Sequence, residues 1–286
     1  MGTSQSSNGP PSGVPMVPSW VPDPPDGDLP FDNMPPPPDV ENPGVQPNDT
    51  TTPRPIPPVP IAPAGRFGPA RINLGKFAST GDSGNMRRAI GHYVRKGYGG
   101  SGMAVRRSGS TASTAGTLYG VLSAVAEGRP AAPGSPLDPA LLAGRSAQEI
   151  MNAVVEAVRP VDGTQDAEVG RAAICNALSE LLDRYPDADL LNLSDEQRNF
   201  AVERYVALDV FRKFDLDLGK TIQKKAPSAA SALSRLKQVR DYVKETVSAA
   251  FRKLRDAGRA ITSRSISRVV RDALRDTFEV FEGYAE

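Results

Sequence analysis

Residues 229–257 read Ala-Ala-Ser-Ala-Leu-Ser-Arg-Leu-Lys-Gln-Val-Arg-Asp-Tyr-Val-Lys-Glu-Thr-Val-Ser-Ala-Ala-Phe-Arg-Lys-Leu-Arg-Asp-Ala. Leu233, Leu236, Val239, Val243, Val247, Ala250, Phe251 and Leu254 recur at steps of three and four. An α-helix turns once every 3.6 residues, so that spacing lines them up as one apolar stripe on a basic helix. Such a stripe must be covered, and the segments on either side supply the cover.

Residues 263–281 repeat the pattern with Ile266, Val269, Val270, Ala273, Leu274, Phe278 and Phe281. Upstream, Ser146-Ala147-Gln148-Glu149 and Ser194-Asp195-Glu196-Gln197 are capping boxes, in which a serine and an acid or amide three residues on satisfy each other's free N–H groups. The first opens a helix with Ile150, Met151, Val154, Val155 and Val158 on its apolar side, stopped by Pro160. The second opens one carrying Phe200, Ala201, Val206, Leu208, Val210 and Phe211. Residues 166–184 form a further helix, stopped by Pro186, and residues 117–126 are apolar enough to be buried. No stretch alternates with period two, so no sheet is expected. The expected fold is an all-α globular domain over residues 108–286.

Residues 1–64 are different in kind. They hold twenty of the twenty-eight prolines, among them the run Pro35–Pro38 and the near-run Pro53, Pro55, Pro57, Pro58 and Pro60. Proline lacks a backbone donor and fixes φ, so neither helix nor sheet propagates. A long disordered Pro-rich N-terminal tail with polyproline II character is expected. Its aromatics are Trp20 and Phe31, which with Met34 are candidates for docking on a partner groove. An unused hydrophobe in a linker is the plainer reading.

Charge is uneven along the chain although the formal net charge is +1. Residues 1–64 carry seven acids and one base, residues 65–107 nine bases and one acid, residues 108–211 fifteen acids and seven bases, and residues 212–275 seventeen bases and six acids. Blocks of alternating sign point to faces that meet each other or a partner. The aliphatic stripe of the basic C-terminal helices is better explained by packing on the acidic helices of residues 146–211 than by a membrane or nucleic acid.

Residues 65–107 read as a basic, glycine-rich connecting segment, partly helical over 85–96, with Gly81, Gly84, Gly99, Gly100 and Gly102 as turns. Bases and aromatics interleave there, so Arg87, Arg88, Arg95, Lys96, Arg106 and Arg107 are candidate nucleic-acid contacts. A solvated face toward the acidic tail would use the same residues. Neither a phosphate-loop pattern nor a dinucleotide fingerprint occurs.

Catalytic signals are sparse. Cys175 is the only cysteine and His92 the only histidine, which excludes a disulfide within one chain and a closed zinc site of Cys and His ligands. Cys175 reads as a helix-face residue and His92 as a surface or helix-packing one. Asp187/Asp189 and Asp215/Asp217 lack further metal ligands at set spacing and read as structural or capping residues. Serines occur without a nucleophile elbow. No apolar run reaches ~18 residues, and no signal peptide opens the chain. A cytoplasmic, non-catalytic protein with no cofactor, no metal and no membrane contact is expected.

Gly2 remains. Removal of Met1 would expose an unhindered amine at the tip of a long tether, and an α-amino group with a pKa of roughly 7.7–8.0 is in part nucleophilic at neutral pH. The start also matches the N-myristoylation pattern, which is short and common by chance; no polybasic second anchor follows it.

Three elements together resemble the QatB-type proteins of the bacterial four-component Qat anti-phage system. They are the Met1-Gly2-Thr3-Ser4 start with a Pro/Asp-rich tail containing Val17-Pro18-Ser19-Trp20-Val21-Pro22, the junction Gly65-Arg66-Phe67-Gly68-Pro69-Ala70-Arg71 with Phe77, and the segment from Tyr93 through Gly99-Gly100-Ser101 and Arg106-Arg107 to Gly116. The resemblance covers roughly the first 125 residues. It implies a setting with an ATPase, a TatD-like nuclease and a QueC-like enzyme, the last using ATP and zinc. QueC enzymes activate a deazaguanine carboxylate and normally direct ammonia at it. A protein amine in that role would join the base to Gly2 as an amide. Gly2 is then the modification acceptor, and Thr3, Ser4, Trp20, Phe31, Arg66 and Phe67 are expected to bind the partner. The alternative is a nucleic-acid-binding adaptor, or a scaffold for the ATPase and nuclease.

Overall fold

A computed structural model of the chain describes residues 62–129, 137–259 and 261–285. Gly2, Thr3, Ser4, Trp20 and Phe31 lie outside the described residues. Among those described there is no strand, and ten α-helices follow one another in short steps. They are α1 (Gly68–Thr80), α2 (Ser83–His92), α3 (Ser101–Arg107), α4 (Gly109–Ala126), α5 (Pro139–Leu142), α6 (Ala147–Val158), α7 (Gln165–Arg184), α8 (Asp195–Lys225), α9 (Ala229–Asp256) and α10 (Ile266–Glu282). A π-helix, Tyr93–Tyr98, continues α2, and a 3₁₀ turn, Gly283–Ala285, follows α10.

Both capping boxes form. Ser146 Oγ accepts from the N–H of Glu149 while the Glu149 carboxylate accepts from the N–H of Ser146, and Ser194 and Gln197 do the same at the head of α8. The second starts a 31-residue helix, about 46 Å long at 1.5 Å per residue. The sequence shows its apolar pattern only to Phe211, yet the helix runs on to Lys225, because Phe214, Leu218 and Ile222 extend the buried stripe at i, i+4 and i+8.

Helix α8 is the spine, packed against α1, α4, α7 and α9. Its middle, residues 201–210, is buried on nearly every side, Arg204 alone being partly open, which an amphipathic surface helix never is. Two acids fall inside that stretch and each is paired. Glu203 accepts from Arg255 of α9 at 3.0 Å, and Asp209 takes both Lys213 Nζ at 2.9 Å and Thr111 Oγ1 at 2.6 Å.

The basic stripe helix α9 lies against α8, as charge and period together require. Val239, Val243, Val247 and Phe251 are in the core, and Lys244 Nζ reaches both carboxylate oxygens of Glu180 on α7 at 2.7 and 2.9 Å. Cys175 is partly buried against the core.

Residues 65–107 form more than a connecting segment. Leu74, Phe77, Ile90, Val94 and Ala104 are fully or nearly fully buried in the same core as α4 and α6–α10. Gly81, Gly99 and Gly100 turn the chain with positive φ, whereas Gly84 and Gly102 lie within α2 and α3. No helix among the described residues is long and apolar enough to cross a membrane.

Candidate functional site

The point where the N-terminal segment enters the helical body is a built site. Ala62, Arg66 and Phe67 are all buried there. The Phe67 ring stacks on Tyr93 at 5.6 Å between centroids and meets Tyr98 edge-on at 6.4 Å. Phe214 of α8 closes the far side of Tyr93, edge-on at 5.0 Å.

Tyr93 and Tyr98 share a face only because the helix is widened. Residues five apart in an α-helix point about 140° away from each other. A π-helix, bonded i to i+5, brings them nearly into line. Their hydroxyls lie 2.6 Å apart, and Tyr93 donates to Asp217 Oδ2 at 2.9 Å. Gly97 is required in this turn, since a Cβ there would stand 2.4 Å from Phe67 Cε1.

Two guanidiniums face this core. Arg66 lies 4.8 Å from the Phe67 ring centroid and Arg107 lies 5.3 Å from that of Tyr98. Burial, then repulsion from Arg107, lowers the Arg66 pKa, while Asp217 opposes the shift. Among the described residues the three guanidinium nitrogens of Arg66 have no hydrogen-bond partner. Burial raises the pKa of Asp217, a shift resisted by the Tyr93 hydrogen bond and by the charges of Arg107 and Arg66. Burial and the neighbouring Asp217 push the Tyr93 and Tyr98 phenols well above their ordinary range.

Beside this cluster is a hollow of about 30 Å³ lined by Tyr98, Arg107, Ser108, Asp166, Lys213 and Asp217. That is room for about one water, against the ~300 Å³ or more of a small-molecule site. The arrangement holds the root of the N-terminal segment; it has no space to receive a base or a nucleotide.

The other basic residues singled out from sequence are spread over separate places. Arg87 stands 5.8 Å from the ring centroids of both Tyr242 and Tyr284. Arg88 donates to Asn85 and lies 4.0 Å from Asp82. Arg95 and Lys96 are exposed on the π-helix beside His92, whose pKa burial and these two charges lower. Arg106 is exposed at the end of α3, while Arg107 turns inward over Tyr98. Asp217, which the sequence reads only as a structural or capping residue, stands at the centre of this cluster. Its signal is its place three residues after Phe214 in a helical pattern that continues through Leu218 and Ile222.

Among the described residues the fold defines the class: an all-α protein whose N-terminal junction, Arg66 and Phe67, is packed into an aromatic cluster. The family model described as Qat anti-phage system associated protein QatB matches residues 99–281, more than half of the chain, and the chain belongs to that family. It is a component of an anti-phage defence system, and membership implies further components alongside it. No curated protein and no solved structure matches it.

Proposed function

We propose that this protein is a non-catalytic partner and the protein substrate of a QueC-like enzyme of its defence system, with the Gly2 amine as acceptor. The enzyme would adenylate a deazaguanine carboxylate with ATP, releasing pyrophosphate, and attack by the neutral glycine nitrogen on the acyl carbon would displace AMP and shed a proton, joining the base to the chain as an amide. A residue without Cβ is the least hindered nucleophile at that position.

One observation carries the reading. Phe67 is buried in the helical core and Arg66 lies buried beside it, so the segment is gripped at its root, and Gly2 stands sixty positions before Ala62. At roughly 3.1 Å per residue such a tether spans up to ~190 Å when fully extended. The body then keeps the acceptor at high local concentration near any enzyme docked on it. Thr3 and Ser4 would follow Gly2 into the enzyme's pocket, and Trp20 and Phe31 would anchor the tail on the partner.

The test is the intact mass of the N-terminal peptide, from the chain co-expressed with the QueC-like enzyme and from the chain alone. A partner-dependent adduct fitting a deazaguanine amide, lost when Gly2 is replaced, supports the reading. An unmodified glycine in cells where defence is active overturns it. Salt-dependent DNA binding lost on reversing Arg87, Arg88, Arg106 and Arg107 would instead make the protein an adaptor.

A further inference from the structure

Helices α9 and α10 enclose a groove of about 420 Å³ that the core does not fill. Tyr242 and Tyr284 stand at one end of it, and Ala249, Ala250 and Val280 give it an apolar lining. Val280 is 45% exposed, one of five large hydrophobic side chains left open among the described residues. The rim is acidic, with Glu245, Asp276 and Glu279 against Lys253 alone, and Lys253 is already paired with Asp276 at 2.7 Å. At the tyrosine end Arg87, which lies over both rings, offsets Glu245 one turn from Tyr242, while Asp276 and Glu279 outnumber Lys253 at the other. A cation on a ligand therefore belongs at the other end.

An aromatic-lined apolar groove takes proline-rich segments, which lose little entropy on binding because proline already fixes their backbone. This chain supplies one of matching charge, Pro53-Arg54-Pro55-Ile56-Pro57-Pro58-Val59-Pro60. Arg54 is the only base in residues 1–64, and no acid lies between Thr50 and Ala62. The proline-rich stretch around Trp20 runs instead into Asp23, Asp26 and Asp28, which the acidic rim would repel.

Length and position also agree. From Tyr242 to Lys253 is about 16 Å of α-helix, and from Arg54 to Val59 is about 16 Å of polyproline II. Phe67, at the root of the segment, rests on Gly97, and Gly91, six residues earlier in the same helical run, abuts the backbone of Tyr284 and Ala285. The root and the tyrosine end of the groove thus flank one stretch of helix.

We propose that residues 53–60 of this chain dock in the α9/α10 groove as an extended polyproline II helix. Pro60 lies toward Tyr242 and Tyr284, and Arg54 toward Asp276 and Glu279. The free tail then departs from the far end of the groove and not from Phe67, which fixes the side of the body on which the N-terminus is presented. This docking does not depend on the fate of Gly2.

The experiment places a photo-crosslinking amino acid at Val59 in the full-length chain, mixed with an equal amount of isotopically heavy chain. Docking gives crosslinks within one chain to residues 242–253 and 276–284. Arg54→Glu lowers their yield about threefold or more, the scale of an exposed ion pair turned to repulsion. Glu279→Lys in the same chain restores it. Circular dichroism on each variant separates lost docking from lost folding, and Glu279 is exposed, so its reversal leaves the core intact. Crosslinks scattered over other helices, or a yield indifferent to Arg54→Glu, overturn the proposal. Light-to-heavy crosslinks overturn it too, in favour of a second copy as occupant.

Discussion

Phe67 lies directly on Gly97, its Cε1 only 2.4 Å from where a side-chain carbon at that glycine would be. The contact joins the root of the N-terminal segment to the π-helix that presents Tyr93 and Tyr98. Gly97→Ala should therefore force the ring out of its stack and cost about 1–3 kcal/mol, the range for overpacking a core. Chemical denaturation of Gly97→Ala, and of Gly97→Ala with Phe67→Leu, checks it. The smaller side chain at 67 should recover part of the loss, and an unchanged midpoint for the single variant would show that the ring has room to move.

Asp217 gives a pH signature. Its pKa is raised in the folded state, burial being the largest cause, so the folded protein holds that proton more tightly than the unfolded chain. The associated stability is complete below the unfolded value of about 3.9 and is lost as pH rises through the folded pKa. Asp217→Asn keeps an acceptor for Tyr93 and cannot ionise. Its stability relative to the wild type should rise as pH climbs from the unfolded value of about 3.9 through the raised folded pKa. A difference that stays level or falls as pH climbs above that value would contradict the assignment.

Removing the tyrosine hydroxyls tests the same cluster from the other side. Tyr93→Phe leaves Asp217 without its 2.9 Å donor and should cost about 1–3 kcal/mol, the penalty for stranding a partly buried polar group. The loss should shrink in the Asp217→Asn background, where no charge is stranded. A double-mutant cycle measures that coupling, and strict additivity would count against a shared network.

Ser194 controls the start of the spine. Ser194→Ala removes the hydroxyl oxygen that accepts from the Gln197 N–H, while the backbone N–H of residue 194 keeps its bond to the Gln197 side chain, and should cost about 1 kcal/mol. That corresponds to roughly 2–4 °C in Tm for a chain of this size. Thermal unfolding followed at 222 nm checks it. Ser194→Asp should restore most of the loss, since a carboxylate also caps a helix N-terminus.

Glu180 joins the acidic and basic halves of the body. Lys244 Nζ contacts both of its oxygens, and Arg204 Nε lies 3.7 Å away. Glu180→Lys would place three cations together and should destabilise by about 1–3 kcal/mol at low salt. The deficit should narrow in high salt. If salt makes no difference, packing and not charge governs that contact.

The sequence by itself determined the helices and their faces. The stripe in α9, the two capping boxes and the stops at Pro160 and Pro186 are local signals, each written within one or two helical turns. They set the all-α class and led to the expectation that the basic C-terminal helices pack on acidic ones, which holds for α9 on α8, whereas α10 packs chiefly on α9, α4 and α3. The resemblance to QatB-type proteins was legible too, in motifs spread over the first 125 or so residues, and the family match over residues 99–281 agrees with it.

Tertiary structure alone decided the rest. Residues 65–107 carry the glycines and bases of a linker, yet their few apolar side chains meet α8 and α10 from both sides, and a core counts contacts from every direction while a sequence window sees one. The site at the root depends on Asp217, more than a hundred residues from Tyr93 and Tyr98 in sequence but 2.9 Å from the first of them in space. Nothing in a D-x-D pair announces that one carboxylate will be enclosed by two phenols and two guanidiniums. Its chemistry is set by burial and neighbours, and both are properties of the fold.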